Sequence, residues 1–256
     1  MPEFISTEQR GRALWITIER PEVRNALNPQ AHRELAATFD AFASNDDHWV
    51  AVLTGRGDRA FCAGSDLKHR VAVGTNETPP TGFAGICERY DLDKPVIAAI
   101  NGDALGGGLE TALACDLAVA VDTARMGLTE PRIGLCAHGG LHRLIRQLPG
   151  KTASRIALTG ELFSAAEAKA MHLVNEVVPR EHFHKAVEKL VADILKCAPL
   201  AVRATKQMMY RGLSEHDVAA AFAARYPAYD KMLASADARE GPVAFAEKRA
   251  PVWTGK

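Results

Sequence analysis

The most informative part of this sequence for predicting the fold is the stretch Ala104-Leu105-Gly106-Gly107-Gly108-Leu109-Glu110. It follows the apolar run 96–100, which is typical of a buried strand, and it opens a helix with three consecutive glycines. Glycine lets a backbone approach a ligand closely, and the first turn of a helix leaves N–H groups without intrahelical partners. Because Glu110 lies about one turn into this helix, the segment predicts a ligand site that combines backbone donors with a carboxylate.

A second acid, Glu130, precedes Pro131 at a predicted turn. Backbone donors can stabilise an oxyanion, and two carboxyl groups can supply and remove protons. Each acid also has an ordinary structural interpretation. Glu110 suits the positive end of a helix, and Glu130 suits a plain turn. The pair is therefore a candidate for acid–base chemistry.

Strands and helices alternate along the first two thirds of the sequence, which predicts an α/β core. Predicted strands cover 14–18, 50–53, 96–100, 117–121 and 174–178. Asn28-Pro29 predicts the start of a helix, whose core stripe is formed by Leu35, Phe39 and Phe42. The glycines and prolines of 72–85 predict a mobile loop.

Only helical patterns follow residue 180. Predicted helices cover 181–196, 200–211, 214–236 and 239–248. The third of these carries an apolar stripe of Val218, Phe222, Tyr226, Tyr229 and Leu233. These helices have no sheet of their own to cover, so we expect them to pack against the core and against neighbouring chains.

Composition narrows the class of protein. The chain has 256 residues, of which 47% are hydrophobic, and a formal net charge of zero. This balance disfavours a nucleic-acid or anionic-membrane partner, and no apolar run approaches the roughly 18 residues of a membrane span. The five scattered cysteines (62, 87, 115, 136 and 197) suit neither a disulfide framework nor a zinc site. We therefore expect a cytoplasmic protein without a bound metal.

Taken together, the motifs identify a family. The chain resembles the crotonase superfamily, the enoyl-CoA hydratases and isomerases, along nearly its whole length. The residues that carry the resemblance are Ile18-Glu19-Arg20-Pro21 with Asn25-Ala26-Leu27, Ala60-Phe61-Cys62-Ala63-Gly64-Ser65-Asp66-Leu67, Ile100-Asn101-Gly102 running into Gly106 to Glu110, Glu130-Pro131 with Gly134-Leu135, and Phe245-Ala246-Glu247-Lys248-Arg249. Each motif alone is weak, and their order and spacing together are specific.

The resemblance implies an architecture and a class of ligand. It implies a spiral core of ββα turns over 1–197 and a helical C-terminal region over 198–256 that serves assembly into a trimer or a dimer of trimers. It also implies an acyl-CoA thioester substrate. CoA then arrives as part of the substrate, and no further cofactor is expected.

The resemblance also assigns roles to residues. The thioester oxygen is expected in an oxyanion hole formed by the backbone N–H groups of Ser65 and Gly107. Glu110 matches the glutamate that handles the water, and Glu130 matches the one that supplies the α-proton. Further substrate or CoA contacts are expected at Arg24, Ala26, Ala63, Asp66, Leu67, Lys68, Gly106, His138 and Lys248.

Three of these expected contacts are Lys68, Lys248 and His138. Lys68 and Lys248 resemble residues that contact the nucleotide end of CoA, with Lys248 reaching a neighbouring subunit's ligand, although both also suit a solvated surface. His138 stands in a loop shorter than is usual in the family, with only Cys136-Ala137-His138 between Leu135 and Gly139. Because this loop borders Glu130, we expect it to affect the position of the water and the acyl-chain pocket, with His138 either lining that pocket or serving a structural role.

The sequence therefore predicts an enoyl-CoA hydratase that adds water across the double bond of a 2-enoyl-CoA. The presence of both glutamates favours hydration. The alternatives are another crotonase-type reaction, such as Δ3-Δ2 enoyl-CoA isomerisation or crotonobetainyl-CoA hydration, and a non-catalytic acyl-CoA-binding protein.

Overall fold

The computed structural model describes residues 2–256, which form an α/β fold as the sequence predicts. The strands are β1 (Ile5–Arg10), β2 (Ala13–Ile18), β3 (Val50–Gly55), β4 (Ala60–Cys62), β5 (Val96–Ile100), β6 (Asp103–Leu105), β7 (Leu117–Val121), β8 (Arg125–Gly127), β9 (Phe163–Ser164) and β10 (Glu176–Val178). The helices are α1 (Pro29–Ser44), α2 (Leu67–Val73), α3 (Gly107–Ala114), α4 (Leu141–Gln147), α5 (Gly150–Thr159), α6 (Ala165–Ala170), α7 (Arg180–Leu195), α8 (Pro199–Gly212), α9 (Val218–Ala223), α10 (Pro227–Leu233) and α11 (Asp237–Ala246). Short 3-10 segments cover Pro21–Val23, Phe83–Gly85 and Glu130–Ile133.

The larger sheet has the strand order β1-β2-β3-β5-β7-β10. Its strands run parallel except β1, which pairs antiparallel with β2. Strand β5 is buried along its whole length, as expected for a parallel sheet covered on both faces. The predicted strands 14–18, 50–53, 96–100 and 117–121 are confirmed here, and 174–178 is shortened to β10.

The smaller sheet has the order β4-β6-β8-β9 and consists of strands of two or three residues. Its parallel strands β4, β6 and β8 end at the same edge. The turn 63–66 follows β4, the three glycines follow β6, and Glu130 follows β8 by three residues. This edge therefore gathers the segments that the sequence marks as chemically important.

Helix α1 begins as the sequence predicts. The Asn28 side chain accepts a hydrogen bond from the Ala31 N–H at 2.9 Å, which caps the helix, and Pro29 occupies its first turn. The predicted stripe of Leu35, Phe39 and Phe42 is fully buried against the sheet. Burial of this apolar face holds the helix in place.

The prediction of a mobile loop over 72–85 is wrong at both ends. Ala72 and Val73 belong to α2, and Phe83–Gly85 forms a 3-10 turn whose residues Ala84 and Gly85 are buried. The Ala84 N–H donates a hydrogen bond to His32 Nδ1 at 3.1 Å, and the rings of Phe83 and His32 meet edge to face at 4.4 Å. Tertiary contacts with α1 thus order residues whose glycines suggested a loop.

The prediction of one helix over 214–236 is also wrong, because the chain forms α9 and α10 with a break between them. Tyr226 has an extended backbone (φ −119°, ψ 97°), which is the conformation that Pro227 favours in the residue before it. The apolar stripe is broken accordingly. Tyr226 is 7% exposed and packs inward, whereas Phe222 is 86% exposed.

The C-terminal helices contact the core through polar side chains of α8. Lys206 forms an ion pair with Asp116 at 2.7 Å and donates to the Lys94 carbonyl oxygen at 2.8 Å. Gln207 donates to Asp93 at 2.8 Å. The division at residue 198 and the use of this region in trimer assembly stay predictions.

Candidate active site

Two backbone segments meet at the edge of the smaller sheet. A Cβ atom placed on Gly64 (φ 89°) would lie 2.9 Å from the Leu105 carbonyl oxygen and 3.0 Å from the Gly107 nitrogen. A Cβ atom placed on Gly107 would lie 2.3 Å from the ring of Phe83. Both positions are therefore too crowded for a side chain, and the glycines allow the two segments to touch.

Each segment presents a free backbone donor. Within residues 2–256, neither the Ser65 N–H nor the Gly107 N–H donates a hydrogen bond to another residue. Gly107 is the first residue of α3, where no intrahelical acceptor exists. The Ser65 hydroxyl, by contrast, is engaged, because it accepts a hydrogen bond from Asn76 Nδ2 at 2.5 Å. Two backbone donors close together are what an oxyanion hole requires.

Glu110 is held in a buried position in the first turn of α3. Its side chain packs against the glycines that precede α4, and its Oε1 accepts a hydrogen bond from the Gly140 N–H at 2.9 Å. The residue is 5% exposed. Burial first, and then the charge of Glu130, raise the pKa of the Glu110 carboxyl to about 7, against the opposing effect of the Gly140 and Gly139 N–H groups. Glu110 therefore titrates near neutral pH.

Glu130 lines the same cavity as Glu110, and this cavity has a volume of about 240 Å³. It begins the 3-10 turn Glu130–Ile133, and its Oε1 would lie 3.0 Å from a Cβ placed on Gly106. Its Oε2 is buried and has no hydrogen-bond partner in the described part of the chain. Burial also raises the pKa of the Glu130 carboxyl. Two acids of raised pKa in one cavity can divide the roles of proton donor and acceptor.

Four of the other predicted contact residues line this cavity. They are Ala63, Leu67, Gly106 and His138. His138 is exposed and also lines a second cavity of about 660 Å³, which adjoins the first. The short loop over 136–138 thus contributes to the wall between the two spaces. A direct contact between His138 and substrate stays a prediction.

The remaining predicted contacts lie outside the cavity lining. Asp66 forms a buried ion pair with Arg20 at 2.9 Å and caps α2 by accepting a hydrogen bond from the His69 N–H at 3.1 Å. The Ala26 carbonyl oxygen accepts a hydrogen bond from the same Arg20 guanidinium. Their side chains and carbonyls therefore support the turns around the cavity.

Three predicted cationic contacts are exposed at the surface. Arg24 is in a left-handed conformation (φ 56°) before the buried residue Asn25, Lys68 lies in the first turn of α2, and Lys248 follows α11. The structure does not bring Lys248 to the cavity of its own chain. Contacts of all three with CoA stay predictions.

Several cavity residues were missed by the sequence analysis. Asn76, Phe83 and Glu88 all line the cavity, and all come from the segment 74–88. Their only local signals were glycines and prolines, which predict turns without stating what the turns contact.

The described part of the chain contains neither a metal cluster nor a membrane-spanning helix. Residues 2–256 contain no group of three or more His, Cys, Asp or Glu side chains arranged to hold a metal ion. In the same part of the chain, no helix has both the length and the apolar character needed to cross a bilayer.

Comparison with known proteins agrees with this geometry. A profile of the enoyl-CoA hydratase/isomerase family matches residues 8–256. Carnitinyl-CoA dehydratases from Salmonella typhi and Proteus mirabilis (strain HI4320) are 40% and 38% identical to this chain over 268 residues, covering 100% of each protein. The crystal structure of enoyl-CoA hydratase from Mycobacterium tuberculosis H37Rv matches with a TM-score of 0.92 at 40% identity, and that of a probable enoyl-CoA hydratase/isomerase from Mycobacterium abscessus with 0.91 at 41%, each covering 100% of both chains. The chain therefore belongs to the enoyl-CoA hydratase/isomerase family and is an enzyme of the crotonase type.

Proposed function

We propose that the protein adds water across the 2,3 double bond of an enoyl-CoA thioester and removes it in the reverse direction. The observation that carries this proposal is the pair Glu110 and Glu130 in one cavity, beside the unbonded N–H groups of Ser65 and Gly107. Hydration needs one proton acceptor, one proton donor and a place for negative charge, and these four groups supply all three.

The geometry suits the following sequence of events. The thioester carbonyl oxygen binds between the two N–H groups, and a water molecule lies between the two carboxyl groups. Glu110 takes a proton from the water while the water oxygen forms a bond to the β-carbon. The electrons of the double bond move onto the thioester oxygen, giving an enolate that the N–H groups stabilise. Glu130 then supplies a proton to the α-carbon, which completes the addition.

The raised pKa values support a pair in which one carboxyl group acts as an acid and the other as a base. Two carboxyl groups that share a buried cavity resist ionising together, so the pair gives up its second proton less readily than its first. One acid and one base are then present at the same time, as the reaction requires. Dehydration uses the same groups with their roles exchanged.

The proposed substrate pair is crotonobetainyl-CoA and carnitinyl-CoA. Support comes from the carnitinyl-CoA dehydratases, which match this chain along its whole length. It also comes from the acidic character of the cavity, which contains Glu88 as well as the two proposed catalytic acids and so suits a cationic acyl group.

Hydration of an uncharged 2-enoyl-CoA is a second candidate. The solved structures that match with TM-scores of 0.92 and 0.91 are an enoyl-CoA hydratase and a probable enoyl-CoA hydratase/isomerase. Their identities of 40% and 41% are close to those of the curated dehydratases, so identity alone does not separate the two substrates.

The test is a substrate panel followed by one variant. The purified enzyme is offered crotonobetainyl-CoA and crotonyl-CoA, and hydration is followed through the loss of enoyl-thioester absorbance. We expect turnover of both, with a higher kcat/KM for crotonobetainyl-CoA. Glu130→Gln should reduce turnover by about 100- to 10,000-fold while thioester binding is retained. Tight binding without turnover by the wild-type enzyme would instead indicate a non-catalytic acyl-CoA-binding protein.

A further inference from the structure

Glu88 lies where the two cavities adjoin, and it lines both of them. Its position is fixed by the preceding turn. The Glu88 N–H donates a hydrogen bond to the Thr81 carbonyl oxygen at 2.9 Å. Its aliphatic stem covers Gly82 (φ 77°), since a Cβ placed on Gly82 would lie 2.8 Å from Glu88 Cγ. The backbone and the stem are thus held, while the residue as a whole stays exposed to solvent.

The Glu88 carboxylate has no partner of its own in the part of the chain that the structure describes. The adjacent cation, Arg89, points away and is buried, donating to Asp40 at 2.8 Å and to the Gly85 carbonyl oxygen at 3.0 Å. Arg143, from the larger cavity, donates to the Cys87 carbonyl oxygen at 3.0 Å and not to Glu88. An unpaired carboxylate beside a catalytic cavity is therefore available to a ligand.

Charge is distributed unevenly between the two cavities. The smaller one contains the carboxyl groups of Glu88, Glu110 and Glu130, with Arg70 as the arginine in its lining. The larger one is lined by five cations, Arg89, Arg143, Arg146, Lys206 and Arg211, and by three acids, Glu88, Asp93 and Asp116. Acids outnumber cations in the first lining and cations outnumber acids in the second, so a cationic substituent is favoured on the side of the first cavity.

An aromatic ring completes the surroundings. Phe83 lines the smaller cavity, on the same short segment as Glu88, and its ring position is set by Gly107 and His32. Quaternary ammonium groups bind to aromatic faces as well as to carboxylates, since their charge is spread over bulky methyl groups that bind water weakly.

We propose that Glu88 is a specificity-determining residue whose carboxylate holds the quaternary ammonium group of a cationic acyl chain. This inference rests on the proposed function and adds to it the residue that recognises the charge. Glu88 takes no part in the proton transfers. Its effect is confined to substrates that carry a positive charge at this end of the acyl chain.

The test compares two substrates of the same shape. Crotonobetainyl-CoA carries a trimethylammonium group, and 5,5-dimethylhex-2-enoyl-CoA replaces its nitrogen with carbon, which removes the charge and keeps the volume. In Glu88→Gln we expect kcat/KM for the charged substrate to fall 10- to 100-fold, and that for the neutral substrate to stay within threefold. Glu77→Gln is the matched control, because Glu77 is an exposed acid of the same loop and lies outside both cavity linings.

Each outcome decides between the two proposals. An equal loss on both substrates in Glu88→Gln overturns the role of Glu88 and leaves the hydratase assignment standing. A partly unfolded variant would also lose both activities equally, so circular dichroism of the variant accompanies the kinetics. If the wild-type enzyme hydrates the neutral substrate but not the charged one, the proposed substrate fails and the role of Glu88 fails with it. If the wild-type enzyme hydrates neither substrate, the proposed function itself is overturned.

Discussion

Replacing Glu110 with Gln should stabilise the folded protein at alkaline pH while it removes activity. The pKa of Glu110 is raised from 4.5 to about 7, chiefly by burial. The folded state therefore binds this proton more tightly than the unfolded state does. The stability that results is fully present below about pH 4.5 and is lost as the pH rises through about 7.

The magnitude follows from the size of the shift. At 1.36 kcal/mol per pKa unit, ionising Glu110 in the folded protein reduces the free energy of unfolding by about 3 kcal/mol. Most of this, about 2.5 kcal/mol, develops between pH 5 and pH 8. Gln at position 110 is uncharged at every pH and can still accept the hydrogen bond from the Gly140 N–H. The variant therefore keeps the free energy of unfolding that the wild-type protein loses when Glu110 ionises.

The assay is urea denaturation of both proteins at pH 5 and pH 8, at one fixed protein concentration. We expect the stability of Glu110→Gln relative to wild type to increase by about 2.5 kcal/mol from pH 5 to pH 8. Hydration should fall by about 100- to 10,000-fold. Glu215→Gln, which changes an exposed glutamate, is the control and should show neither effect. A stability difference that is the same at both pH values would refute the reasoning.

Further predictions concern the donors, the glycines and assembly. Ser65→Ala should keep kcat/KM within about tenfold, because the backbone N–H is unchanged and Asn76 retains the Leu27 carbonyl as an acceptor; a loss above a hundredfold would show that the hydroxyl takes part. Gly108→Ala should lower the melting temperature strongly, since its Cβ would lie 1.9 Å from the Cys62 carbonyl oxygen; melting like wild type would contradict this contact. Light scattering should show a trimer or a dimer of trimers, and a monomer at micromolar concentration would overturn that assembly.

Local sequence signals predicted the parts of the fold that depend on them. Asn28-Pro29 marks the start of α1 because capping and proline geometry act within a few residues. Strand β1 was missed because its sequence carries no such local signal. It is an edge strand in which Ile5 alone is buried, so it has no apolar periodicity. Pro227 carried the signal for the break between α9 and α10, and the apolar stripe across it was the misleading feature.

The candidate site also contains residues that local sequence signals predict and residues that they do not. Glu110 and the glycines before it were predictable, because a glycine run at a helix start has a direct physical meaning. Glu88 and Asn76 were not, since they reach the cavity through packing of the segment after α2 against α1. Their roles depend on contacts between residues far apart in sequence, such as Ala84 with His32, and no spacing rule encodes these.

The contact between Phe83 and Gly107 has a consequence for laboratory evolution of this enzyme. The ring occupies the place that a side chain at position 107 would need, so any change at Phe83 also alters the surroundings of a proposed oxyanion-hole donor. Glu88 lies five residues further along the same segment. Libraries that vary this segment to accept new acyl groups should therefore yield variants whose selectivity and turnover number change together. Separating the two properties will require mutations elsewhere in the cavity lining, for example in the loop over 136–138.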